Sequence, residues 1–201
     1  GNDATNYKEI INRPVNLTRS FWVTETAAIG SMLGQLDDDA RAYMFWDGFD
    51  CVYQHARRNG YGDVAPNDWP FSMSPEDGKP LIEYEVETGR WIPRKQFYQH
   101  SQLMKFIKPG AVRIGLTGQD EPLQAYAFGN TDGSLVITGR NSAHSGVVMN
   151  GRLENFRPVQ NIKMIITDAQ NNLAEKKEIS FSGESFKADL PANCIFTIIS
   201  D

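Results

Sequence analysis

The sequence predicts a mainly β protein: an antiparallel β-sandwich of about seven to eight strands, preceded by a segment of different character. Three observations carry this. After residue 109, apolar runs arrive at short intervals: AVRIGL, LQAYAF, SLVITGR, SGVVMN, IKMIITD, KEISFS and CIFTIIS. Turn clusters separate them (TGQDEP, GNTDG, RNSAHS, DAQNN, SGES), the spacing expected of strands joined by tight turns in a sandwich. Before residue 109 the pattern differs, so the chain divides into residues 1–108 and 109–201.

In the first segment, Ser20–Thr24 and Arg41–Trp46 are β-branched and aromatic runs that read as strands. Between them, AAIGSMLGQL (27–36) reads as a short helix, with Ile29, Met32, Leu33 and Leu36 on one face. A crossover of about a dozen residues is the minimum that joins parallel strands, so the two strands are expected to be parallel. Residues 51–94 are rich in turn residues (RNGYGD, APNDWP, SPEDGKP, ETGR) and read as a long surface excursion. A helix follows, with Phe97, His100, Met104 and Ile107 at helical spacing, and Lys108-Pro109-Gly110 stops it.

Composition narrows the function classes. The chain has 201 residues, 40% hydrophobic and 22% charged, with a net charge of −5. An acidic balance with scattered Lys and Arg argues against a nucleic-acid partner. No run approaches the ~18–20 apolar residues of a membrane span. Cys51 and Cys194 are far apart, and this low density favours two free thiols over a disulfide. Three histidines without metal-ligand spacing imply no metal, and no phosphate loop or cofactor motif is present. The start, Gly1-Asn2-Asp3, reads as processed or trimmed.

The second half carries a resemblance. Residues 97–114, FYQHSQLMKFIKPGAVRI, resemble the junction in family 30 and related clan A glycoside hydrolases, where the last helix of a (β/α)8 barrel runs into a C-terminal β-sandwich. Residues 127–141, AFGNTDGSLVITGRN, are similar to that sandwich's F-x-N-x-D-G-S hairpin, and 190–199, LPANCIFTII, to its final strand. Residues 21–26, FWVTET, then resemble the end of barrel strand 7, and 44–50, MFWDGFD, the end of strand 8. The resemblance implies that residues 1–108 are a partial (β/α) barrel remnant: strands 7 and 8, a long loop and the final helix.

It also implies a site. Glu25 takes the position of the nucleophilic carboxylate, Trp46 and Asp47 that of the sugar subsite at the end of strand 8, and Tyr53 and His55 lie on the loop that follows. Other readings stay open. Glu25 also suits a solvated strand end, Trp46 simple packing, Asp47 a solvated turn, and His55 a local hydrogen bond. The aromatics Tyr53, Tyr61, Trp69, Phe71 and Trp91 suit either a glycan groove or the pinning of a long loop.

Retaining hydrolysis needs two carboxyl groups, and the family's acid/base is the Glu of an Asn-Glu pair, which these 201 residues lack. The expectation is therefore the C-terminal part of a secreted, periplasmic or cell-surface retaining glycosidase acting on β-linked polysaccharide, inactive without strands 1 to 6. The alternative is a non-catalytic carbohydrate-binding or structural sandwich. The expected partners are carbohydrate, and an upstream barrel segment, a second chain or a homodimer mate covering residues 15–50, because bare barrel strands expose pairing edges.

Overall fold

The computed structural model describes residues 22–26, 29–37, 40–45, 48–50, 81–85, 89–118, 121–159 and 161–200. The chain divides into two compact units, Gly1–Phe97 and Tyr98–Asp201.

In the first unit, β1 (Trp22–Thr26), α1 (Ile29–Asp37) and β2 (Ala42–Phe45) form the expected strand–helix–strand unit, and β1 pairs with β2 in parallel. Leu33 of α1 and Val23 of β1 are buried, as the apolar helix face and the strand alternation require. The turn-rich segment contains strands that its composition hides. β3 (Phe49–Asp50), β4 (Ile82–Glu85) and β5 (Arg90–Pro93) form a small sheet in which β3 and β4 are parallel and β4 and β5 make an antiparallel hairpin. Gly89, at φ 69°, sits in the hairpin connection, where a side chain would be strained.

The second unit is a sandwich of nine strands among the described residues. One sheet has six, in the order β11 (Ala174–Lys176), β10 (Ile162–Thr167), β14 (Cys194–Ser200), β8 (Leu135–Asn141), β7 (Leu123–Gly129), β6 (Val112–Ile114), every neighbour antiparallel. The other has three, β12 (Ile179–Ser182), β13 (Ser185–Leu190) and β9 (Val147–Arg152), also antiparallel. The core lies between them. Ala125, Ala127, Leu135, Ile137, Met164, Ile166, Phe196 and Ile198 of the large sheet meet Met149, Phe186, Ala188 and Leu190 of the small one.

The large sheet is buried on its other face as well, where Tyr126, Val136, Thr138, Thr167 and Thr197 are almost fully enclosed. Its strands therefore read as continuous apolar runs rather than as an alternation. On that face lies the C-terminal half of α2 (Lys95–Met104): the buried Gln102 donates through Nε2 to Thr167 Oγ1 at 2.9 Å, and Thr197 Oγ1 donates to the Gln102 carbonyl at 2.8 Å. Thr138 Oγ1 extends this polar seam, 3.2 Å from Thr197 Oγ1.

Three sequence expectations shift. KEISFS supplies one strand, β12, and a further short strand, β11, precedes it in the other sheet. The SGES turn leads into a full strand, β13. The helix stops at Met104, which is 52% exposed, and the buried positions are Gln96, His100, Gln102 and Leu103.

Candidate functional site

The site predicted from sequence centres on the C-terminal ends of β1 and β2. The parallel register pairs Trp22 with Ala42, Val23 with Tyr43 and Thr26 with Phe45. Three steps along β1 thus match two along β2, so β1 carries one extra residue within Thr24–Glu25. Such a bulge breaks the ladder locally and re-aims the chain, and bulges concentrate at barrel rims and beside active sites. Glu25 lies in this bulge, one residue before the end of its strand. Trp46 and Asp47 directly follow the last residue of β2 in sequence but lie outside the described residues, as do Tyr53 and His55. The structure therefore describes the backbone of one of the five predicted site residues. In parallel β/α architecture, ligands gather at the C-terminal ends of strands, which is the end that Glu25 occupies.

The open character of this pair is visible in its surface. Trp22 is 66% and Met44 54% exposed. Trp22 pairs with Ala42, and Met44 is two residues on, so both stand on one face of the pair. Among the described residues, β1 and β2 have no further strand on either side.

In the sandwich, the polar geometry is that of a joint. Asn130 is buried between β7 and β8; its Nδ2 donates to the Phe106 carbonyl and to Ser134 Oγ, each at 2.9 Å, and its Oδ1 accepts from the Lys108 amide at 2.9 Å. One side chain thus ties the segment leaving α2 to the β7–β8 hairpin. Asp132 closes the turn, accepting from Ser134 N at 3.0 Å and Ser134 Oγ at 2.7 Å and pairing with Lys108 Nζ. The Lys108 ammonium first, then Ser134, hold its carboxyl far below the ordinary carboxylate range. Gly133, at φ 88°, supplies the left-handed turn residue, and Arg157 Nε donates to its carbonyl at 2.7 Å. In the β10–β11 turn, burial works to raise the pKa of Asp168, but hydrogen bonds from Asn171 and the Gln170 amide outweigh it and the net shift is downward. Cys194 is a buried free thiol, its pKa pushed up to about 11 by desolvation, and is not a nucleophile. Cys51 lies outside the described residues.

Sequence reasoning found the Asp132-Gly133 turn but missed the joint made by Asn130, two of whose three partners, Phe106 and Lys108, lie more than 20 residues earlier. It grouped Trp91 with the loop aromatics. The structure instead puts it within β5, opposite Tyr84 and 60% exposed.

Residues 110–151, which span β6 to all but the last residue of β9, match the model of the glycosyl hydrolase family 30 β-sandwich domain. The chain resembles the C-terminal portion of a family 30 glycoside hydrolase. Glucuronoxylanase XynC of Bacillus subtilis (strain 168) is 30% identical over 105 residues, which are 52% of this chain and 25% of the relative. The family 30 subfamily 8 xylanase Xyn30A of Clostridium acetobutylicum superposes with a TM-score of 0.66 at 19% identity, covering 93% of this chain and 44% of that one. The catalytic domain of xylanase C from Talaromyces cellulolyticus gives 0.70 at 15% identity, with 93% and 42% covered. At these identities the two structures establish a shared fold. The chain thus spans about a quarter of the curated relative and less than half of each solved structure. No helix among the described residues is long and apolar enough to cross a membrane.

Proposed function

We propose that this family 30-like chain is the C-terminal part of a secreted retaining glycoside hydrolase acting on a β-linked polysaccharide of the xylan type. Residues 1–108 are its last barrel strands, loop and helix, and residues 109–201 its sandwich. The observation that carries the reading is the bulge that holds Glu25 at the C-terminal end of a strand paired in parallel with β2. The name of the glucuronoxylanase relative supports the substrate class.

In this reading the Glu25 carboxylate attacks the anomeric carbon as an acid from outside these residues protonates the departing glycosidic oxygen. The C–O bond breaks and a glycosyl ester forms on Glu25. The same outside group, now a base, takes a proton from water, which displaces Glu25 and restores the anomeric configuration. Trp46 offers a flat apolar face to the sugar, and Asp47, Tyr53 and His55 hydrogen-bond its hydroxyls. No metal or cofactor enters. The 201 residues contain no Asn-Glu pair to act as the acid, so the chain alone is inactive and depends on upstream barrel strands, which also cover Trp22 and Met44.

Joining six further barrel strands that bear an Asn-Glu ahead of residue 1 tests this. Release of reducing sugar from glucuronoxylan, abolished by Glu25→Gln, is the expected result; no hydrolysis across a panel of β-glycans overturns it. A second reading, a non-catalytic binding or structural module, is favoured by the compactness of Tyr98–Asp201, which encloses its own core. It predicts glycan binding that persists when residues 1–97 are removed.

A further inference from the structure

We propose that the outer face of the β12–β13–β9 sheet is a glycan-holding surface that takes a β-linked oligosaccharide carrying a uronic acid. The inference rests on the glycan-acting reading above, and the surface belongs wholly to Tyr98–Asp201. The small sheet meets the core on one side only. The alternation of β13 buries Phe186, Ala188 and Leu190 and turns Ser185, Lys187 and Asp189 outward. The register brings Ser180 and Ser182 of β12, and Asn150 and Arg152 of β9, to the same exposed face. Two rows result, Ser182–Ser185–Arg152 and Ser180–Lys187–Asn150. Strand spacing and strand rise make this array about 10 by 7 Å. The six side chains line a shallow depression of about 460 Å³.

The side chains of Ser180, Ser182, Ser185 and Asn150 have no hydrogen-bond partner among the described residues. A sheet face that only had to meet water would favour β-branched and aromatic residues, which pack across strands; here hydroxyls and an amide take those places and stay available to a ligand. The two cations are loosely held. Arg152 lies 3.5 Å from Glu184 and Lys187 3.8 Å from Asp189, with all four side chains more than half exposed, so neither pair binds its cation tightly. A carboxylate that meets the planar guanidinium in fork geometry competes well with such a contact, and Lys187 adds a second charge one strand away. Glu184 and Asp189 then stand at the rim of the array as acceptors for sugar hydroxyls. This balance selects the occupant. Two cations against two carboxylates leave the patch neutral, which disfavours a polyanion and suits a hydroxyl-rich chain with a single acidic branch. A protein partner would need aromatic or apolar anchors, and among the described residues Val148 is the only large apolar side chain exposed on this sheet.

The test uses the 201-residue chain and two probes, β-1,4-xylohexaose and the same hexaose bearing one glucuronic acid branch, by titration calorimetry and by amide chemical shifts. The expected result is that the acidic hexaose binds about fivefold or more tightly than the plain one and moves the amide resonances of Asn150 and Ser185. Replacing both cations, Arg152→Gln with Lys187→Gln, brings the acidic hexaose down to the plain level, while the thermal midpoint stays within about 3 °C because both ion pairs are exposed. Lys187→Arg keeps the affinity within about twofold. Equal affinity for the two hexaoses, acidic-hexaose binding unchanged in the double variant, or no binding of either probe overturns the surface. The functional reading falls on a separate result, the absence of hydrolysis by the completed protein, so the two fail independently.

Discussion

Asn130 makes three hydrogen bonds from a buried side chain, to Phe106, Lys108 and Ser134, and replacing it strands a backbone carbonyl and an amide. Asn130→Ala is expected to cost about 2–3 kcal/mol, read as a lower urea midpoint at unchanged m-value. Asp132 adds a pH dependence. Its folded pKa is depressed below 3.8, so its contribution is present above that pH and is lost as pH falls. Asp132→Asn should flatten the acid limb of the stability curve by lowering the neutral plateau toward the acid value, a small change because the group is exposed. Cys194 has the opposite sign. Its pKa rises from 9.0 to about 11, so its contribution is complete below 9 and disappears as pH rises through 11. A thiol reagent at pH 8 should leave Cys194 unmodified until the chain unfolds. At this scale the sequence exposes what is local. Asp132-Gly133 is legible as a turn because the adjacent residues make it, whereas the role of Asn130 depends on residues 22 and 24 positions away. The bulge at Glu25 is a property of pairing with β2, which no residue of β1 encodes alone.

The strands differ in legibility for a physical reason. Those of the large sheet are buried on both faces, so β8 and β14 stand out as apolar runs. β13 buries only Phe186, Ala188 and Leu190, and its exposed Ser185, Lys187 and Asp189 make SFKADL resemble a turn by composition, although its period of two is regular. The β4–β5 hairpin is hidden in the same way by the turn residues around it. α2 is a helix whose sequence periodicity points to Met104, while the buried group that docks it is the amide of Gln102. Gln102→Leu should therefore destabilise the sandwich by about 1–2 kcal/mol despite being more apolar, since Thr167 and the seam beside it lose a donor. Gly139 shows how close β7 and β8 approach: a Cβ there would lie 2.0 Å from the Gln124 carbonyl oxygen. Because backbone blocks the space, Gly139→Ala should cost about 3 kcal/mol or more.

Across the whole chain, two units of different completeness are joined. Tyr98–Asp201 encloses a core between two sheets, whereas among the described residues β1 and β2 form a two-strand parallel sheet with Trp22 and Met44 in solvent. The family resemblance was legible because the sandwich motifs are contiguous in sequence. The candidate site was less so, because catalytic geometry is assembled from strand ends far apart in the chain. The central claim is that Glu25 is the nucleophile of a retaining glycosidase completed by upstream strands. Its most direct test is to incubate the completed protein with a 2-fluoro-xylobioside carrying a good leaving group, and then to digest it and weigh the peptides. The claim predicts one glycosyl adduct, on the peptide containing Glu25, with hydrolysis lost by more than about a thousandfold in Glu25→Gln. An active protein that carries the adduct on another residue, or that keeps its rate without the Glu25 carboxylate, would contradict it.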